Sequence, residues 1–260
     1  MGGTLENPKL SGAVQSGSDH LKGHPLTTNI AHTMPTHSAH AFRVVLLAAG
    51  KGSRLGGMPK SLFKLDGQSL LERQIQGLNT AGATHIVVVT GFYYSDIEAE
   101  LERIRTTCKV LIEIVRHPHP EEGQQTTVRL GLRALTAHGN FPTPVMIALA
   151  DQPLMQATDF QECLNAFHQR PPACTIVYPV FNGQRGNPVI LDASTADRVL
   201  DSGLTCRDFI NVHSDEVHRF SAASDHFIFD IDHPQDLEKF ALRTGIALEP
   251  PAFDPPHHKN

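Results

Sequence analysis

No stretch of the 260-residue chain approaches the ~18 consecutive apolar residues that a membrane span requires, so a transmembrane protein is excluded. Excess positive charge is missing too: 22 Lys and Arg against 27 Asp and Glu give a formal net charge of −5. Without a general positive field there is no basis for holding a nucleic acid backbone by counterion release. The four cysteines, Cys108, Cys163, Cys174 and Cys206, include no C-x-x-C pair. That spacing fits neither a zinc knuckle nor a disulfide scaffold, and buried reduced thiols are expected. The first 40 residues hold no arginine and no basic segment followed by an apolar one, so neither a secretory signal nor a transit peptide is recognisable, and a cytoplasmic location is expected.

What is present is organised in three parts. Residues 1–41 are rich in His, Pro, Ser, Thr and Gly without lasting periodicity and read as a disordered arm. Residues 246–260 carry Pro250, Pro251, Pro255 and Pro256 and read as a loose tail. Between them, 42–245, apolar β-branched runs alternate with amphipathic stretches. Val44–Ala48 precedes a helix over 70–81, Ile86–Val89 a helix over about 95–104, Val110–Val115 a helix over about 125–137, and Val145–Leu149 a helix opened by Thr158. Thr158 with Gln161 predicts a capping box for that last helix. Continuous apolar strands alternating with helices predict a mostly parallel sheet covered on both faces, a doubly wound, Rossmann-like α/β/α fold. Beyond Thr175 come shorter elements: strands over 175–181, 188–191, 216–220 and 226–229, helices near 194–200 and 206–213, and a final helix from Pro234 to Gly245.

In such a sheet the ligand binds at the carboxyl ends of the strands, which directs attention to the loop after the first one. It reads Leu47-Ala48-Ala49-Gly50-Lys51-Gly52-Ser53-Arg54-Leu55-Gly56-Gly57-Met58-Pro59-Lys60. Four glycines permit close backbone approach, and Lys51, Arg54 and Lys60 add fixed positive charge, which together make an anion cradle. Leu55 stands where a dinucleotide fingerprint needs its third glycine, and Met58 follows Gly57 where a Walker loop needs lysine, so neither motif is met. Further on, Asp151 in Leu149-Ala150-Asp151-Gln152-Pro153 ends a buried strand, where a carboxylate can hold Mg2+. Gly123-Gln124-Gln125-Thr126 opens a helix and offers N–H groups and amides to a base or ribose. In Arg185-Gly186-Asn187-Pro188 a guanidinium held between glycines can reach a phosphate monoester. Asp230 and Asp232, two residues apart, share one side of an extended segment, where they could supply a second metal ligand or orient Lys60; capping of the last helix by Asp232 explains it equally well.

The loop Leu-Ala-Ala-Gly-x-Gly-x-Arg-Leu-Gly-Gly-x-Pro-Lys resembles the signature of nucleotidyltransferases that attach a nucleoside monophosphate to an acceptor and release pyrophosphate. Over about 43–241, with the Asp-x-Pro and Arg-Gly-Asn-Pro motifs, the chain resembles the molybdenum cofactor branch, whose members add CMP or GMP to molybdopterin. The resemblance implies Lys60, Arg54 and Asp151 as catalytic residues. It implies a nucleotide site of Leu47, Ala48, Ala49, Gly50, Gly52, Ser53, Arg54, Lys60, Thr90, Gly123, Gln124 and Thr126. It further implies acceptor contacts from Arg185, Gly186 and Asn187, Mg2+ on Asp151 and Asp232, CTP and a molybdopterin-type phosphate as substrates, and a molybdenum hydroxylase as recipient of the product. Ala49 stands where the guanylyl branch has glycine; its Cβ tightens the slot and favours a pyrimidine, with UTP left open. A guanylyltransferase, a sugar- or polyol-phosphate nucleotidyltransferase and a non-catalytic cofactor chaperone are the competing readings.

Overall fold

A computed structural model describes residues 41–137 and 143–252. The arm 1–40 and the end of the tail, 253–260, lie outside the described residues, so the readings made there have no structural counterpart. In chain order the elements are β1 (Phe42–Ala48), a small hairpin of β2 (Lys64–Leu65) and β3 (Gln68–Ser69), α1 (Leu70–Ala81), β4 (Ala83–Thr90), α2 (Tyr94–Arg105) and β5 (Leu111–Arg116). There follow α3 (Gln124–Ala137), β6 (Val145–Leu149), α4 (Ala157–His168), β7 (Ile176–Phe181), β8 (Gln184–Arg185), β9 (Val189–Leu191), α5 (Ala193–Asp201), α6 (Cys206–Val212), β10 (Val217–Ser221) and α7 (Pro234–Thr244).

The main sheet runs β10-β7-β9-β6-β1-β4-β5, with β8 paired to β7. Pairing is parallel through β6-β1-β4-β5 and between β10 and β7, while β9 runs antiparallel to both β6 and β7. Alternating side chains of the central strands feed two cores. Val44, Leu46, Ile86 and Val88 pack with Leu71 and Ile75 of α1, Ile97 and Leu101 of α2 and Phe160 and Leu164 of α4. Val45, Val87 and Val89 pack on the opposite face with Val128 and Leu132 of α3, Val199 of α5 and Phe209 of α6. The expected three-layer α/β/α architecture is therefore present. It is set by central strands that are predominantly apolar on both faces. Because β4 and β6 flank β1 on opposite sides, the chain reverses its winding there, and the loops leaving β1 and β6 open on one crevice.

Four local expectations are corrected. Helix α4 is capped two residues earlier than Thr158 and Gln161 suggest: Gln156 is the cap, and the Asp159 carboxylate accepts from the Gln156 N–H at 2.8 Å, a charged acceptor outcompeting an amide. Residues Asp225–Ile228 form a 3-10 turn and not a strand, because the Phe227 carbonyl is taken by Asn187 N (2.8 Å) and Gln152 Nε2 (3.1 Å). Asp232 does not cap α7; Asp236 accepts from the His233 N–H at 2.8 Å, leaving the Asp232 carboxylate for other partners. The start of the tail is not loose, since Lys64 and Glu249 exchange backbone hydrogen bonds of 2.9 Å and Leu248 is buried with Phe63, Leu65 and Phe240.

Candidate active site

The glycine-rich loop leaves β1 at Ala48 and folds back on itself. Gly52 sits at φ +61°, and a Cβ there would stand 2.1 Å from the Met58 carbonyl oxygen, so only glycine lets the two limbs of the loop approach this closely. The Tyr93 hydroxyl fastens the same limbs together, its one proton shared between the carbonyls of Lys51 (2.7 Å) and Gly57. Ala49 is buried against Gly91, whose missing Cβ makes room for it. The Lys51 ammonium lies over the Phe92 ring, 5.6 Å from its centre.

At the end of this loop Lys60 reaches across to the other strands. Its Nζ lies 3.1 Å from Asp151 Oδ2, at the carboxyl end of β6, and forms a close ion pair with Asp232 Oδ1. Arg54 Nη1 holds the second Asp232 oxygen at 3.2 Å. The segment carrying Asp232 is pinned in turn by the Ile231 N–H, which donates to the Asp151 carbonyl at 3.2 Å. Burial opposes the charge on Lys60, yet the carboxylates of Asp151 and Asp232 outweigh it and raise its pKa. Burial likewise raises Asp151, with Lys60 pulling the other way. For Asp232 burial is outweighed by Lys60, and the carboxyl is held below its usual range. Asp230 is pushed up to about 7, first by burial and then by the neighbouring Asp151 charge, and its Oδ1 is buried with no hydrogen-bond partner.

Two cavities flank the end of β6. A small cleft of about 50 Å³ is lined by Leu47, Ala48, Gly50, Lys60 and Asp151. On the other side of Leu149 lies a cavity of about 490 Å³, walled by Gly123, Gln124 and Gln125, by Arg185, Gly186 and Asn187, and by Cys206, Arg207 and Asp230. Residues that the sequence assigns separately to nucleotide and acceptor thus share one cavity. Gly186 permits this, because a Cβ there would stand 2.6 Å from the Phe227 carbonyl.

The remaining expected residues stand further back. Thr90 is fully buried, its hydroxyl 3.3 Å from Glu98 Oε1. Thr126 donates to the Gly123 carbonyl at 2.9 Å and pairs with His117 Nε2 at 2.7 Å, so it shapes the turn and does not line the cavity. Ser53 and Arg54 lie in a 3-10 turn at the outer edge of the loop. Sequence reasoning missed Tyr93, Gln152 and Arg207. Gln152 is buried, its carbonyl accepting from Gln74 Nε2 at 2.6 Å and its amide donating to Phe227, which ties the end of β6 to the acceptor turn.

The sequence profile of the MobA-like NTP transferase domain matches residues 44–216, more than half of the chain. The chain belongs to that family. Among curated relatives, the bifunctional protein GlmU of Azorhizobium caulinodans is 32% identical over 120 residues, covering 46% of this chain and 25% of GlmU. The chain thus spans about a quarter of the length of that relative. A nucleotidyl transferase from Methanothermobacter thermautotroptrophicus superposes with a TM-score of 0.62 at 19% identity, over 78% of this chain and 96% of the other. CMP:2-keto-3-deoxy-manno-octonic acid synthetase complexed with CTP superposes with a TM-score of 0.59 at 14% identity, over 79% and 98%. At these identities the structural likeness establishes the nucleotidyltransferase fold alone. In the MobA-like chain described here, the matched region includes the β1 loop, Lys60, Asp151, Arg185 and Arg207 and ends before Asp232. No helix among the described residues is long and apolar enough to cross a membrane.

Proposed function

We propose that the protein transfers CMP from CTP to the phosphate of molybdenum-loaded molybdopterin and releases pyrophosphate. The observation that carries this reading is the convergence of Lys60, Asp151 and Asp232 beside a cavity that also holds the Arg185-Gly186-Asn187 turn. The backbone of Ala49 to Arg54 cradles the triphosphate, and Lys60 and Arg54 offset charge that grows on the α-phosphate and on the leaving pyrophosphate. An acceptor phosphate is already anionic near neutral pH, so attack on the α-phosphorus needs no general base. The chain's part is to align the two substrates and to stabilise charge.

The donor set also suits a magnesium ion. Lys60 now separates Asp151 from Asp232, and no three metal-ligating side chains stand together among the described residues. Mg2+ characteristically takes one or two carboxylates and completes its shell with phosphate oxygens and water. Asp151 and Asp232 would hold it, with the unpartnered Asp230 Oδ1 adjacent. The ion would neutralise phosphate charge. The recipient of the product in this reading is a molybdenum hydroxylase apoenzyme.

CTP is favoured by the likeness of the Leu-Ala-Ala-Gly loop to the cytidylyl branch; Ala49 itself is buried against Gly91, so its Cβ acts through the path of the loop backbone. The likeness to a CTP-bound synthetase supports the same choice. That likeness also supports a second reading, in which CMP passes to a sugar acid. Pyrophosphate release decides between them when CTP, GTP, UTP and ATP are each offered molybdenum-loaded molybdopterin or a panel of sugar substrates. Turnover with CTP and the pterin is expected; turnover with a sugar and not the pterin would reject the acceptor.

A further inference from the structure

Two arginines line the larger cavity with no carboxylate paired to either among the described residues. Arg185 comes from β8 and is half-buried, its guanidinium stacked 4.4 Å from the centre of the Tyr178 ring. Arg207 comes from α6, on a different wall, and is exposed at the rim. Burial lowers the Arg185 pKa, and the charges of Arg207 and Arg219 push it further in the same direction. Glu122 and Asp230 line the same cavity but neither is paired with Arg185 or Arg207, so the two guanidiniums are left to an anion that enters the space, where screening by salt is weaker than at an open surface.

The Arg185 side chain and the segment that leads to Arg207 are each held from behind. Arg219 Nε donates to the Tyr178 hydroxyl at 2.8 Å, which fixes the ring on which Arg185 stacks. Arg129 of α3 donates to the carbonyls of Leu200 (2.9 Å) and Leu204 (3.1 Å), with Val199 at 3.4 Å, and so anchors the segment leading to Arg207. The same helix begins with Gln124 and Gln125, which line the cavity. One helix therefore sets the spacing between the amide wall and the second guanidinium. Two planar forks on separate, braced elements suit the oxygens of a phosphate monoester, which can accept from both at once.

We propose that Arg185 and Arg207 form a two-guanidinium subsite for a phosphate monoester dianion, with Arg129 as a positioning residue. The subsite rests on the preceding reading only in assigning this phosphate to the acceptor. Binding of phenyl phosphate to the full chain, measured by calorimetry without nucleotide, tests it independently of turnover. Arg207→Gln and Arg185→Gln are each expected to weaken binding at least ~10-fold, the loss of a charged hydrogen bond. Arg207→Lys, which keeps the charge without the fork, should fall between. Arg129→Gln should weaken phenyl phosphate less than Arg207→Gln does and leave the CTP KM unchanged. Arg207 is exposed, and an unchanged melting temperature in Arg207→Gln establishes that the variant is folded. Loss of phosphate affinity in Arg207→Gln supports the subsite even if no nucleotide is transferred, in which case only the functional reading fails. Wild-type affinity in Arg207→Gln, or affinity lost in Lys60→Ala alone, would overturn it even in an active enzyme.

Discussion

Lys60 Nζ lies 3.1 Å from Asp151 Oδ2, joining the loop after β1 to the end of β6. This pair stands where the winding of the sheet reverses, and each partner holds the other in the wall of the smaller cleft. Lys60→Ala removes the cation among Asp151, Asp230 and Asp232, and Asp151→Ala removes the carboxylate proposed to hold the metal. Each is expected to cost at least ~100-fold in pyrophosphate release, the scale of losing one preorganised charge-stabilising group. Near-normal turnover in either variant would contradict the assignment.

The backbone of the loop should be as sensitive as its charges. In Gly52→Ala the new Cβ meets the Met58 carbonyl oxygen at 2.1 Å in a conformation with φ +61°, so the two limbs must part. A misplacement of this order costs about 100-fold in kcat/KM. Steady-state kinetics check this. The fold should persist because the loop lies outside the two main cores, and circular dichroism should be unchanged.

The pairing of strands with helices was legible because the central strands are apolar on both faces, and the β1 loop was legible because glycines and cations share one turn. Other features were hidden for physical reasons. Asp232 fits equally well as a helix cap or as a partner of Lys60, and only the position of Asp236 decides between them. The apolar run Phe227-Ile228-Phe229 suggests a strand, but the Phe227 carbonyl is claimed by Asn187 and Gln152, a contact between distant segments that no local pattern encodes. Tyr93 precedes α2 as an ordinary aromatic, and its grip on Lys51 and Gly57 exists only once β1 and β4 lie side by side. Arg207 likewise gains meaning only when α6 meets the cavity.

Acid stability should report the ion pair that fastens α5 to the end of the sheet. The Glu216 carboxyl is lowered to about 2, chiefly by hydrogen bonds from Arg198, from a usual value of 4.5. A lowered folded pKa stabilises above the unfolded value and loses its contribution as pH falls towards the folded one. The stability advantage of the wild type over Glu216→Gln, measured by urea denaturation, is therefore expected to be full above about pH 5 and to shrink between pH 4.5 and 2. A difference independent of pH would contradict the role of this pair.

Nucleotide choice should follow Ala49. Ala49 is buried against Gly91 and sets the path of the loop backbone, so Ala49→Gly, which frees that backbone, is expected to reduce the preference for CTP over GTP by about 10-fold. The ratio of the two kcat/KM values measures it. An unchanged ratio would place selectivity elsewhere in the site.

Whether the chain is a cytidylyltransferase acting on a pterin phosphate is decided by pyrophosphate release from CTP in the presence of Mg2+ and molybdenum-loaded molybdopterin, with GTP, UTP, ATP and sugar substrates in parallel. Release with CTP and the pterin is expected, and it should be lost in Asp151→Ala. Release that requires a sugar acceptor, or that persists in Asp151→Ala, would contradict that reading.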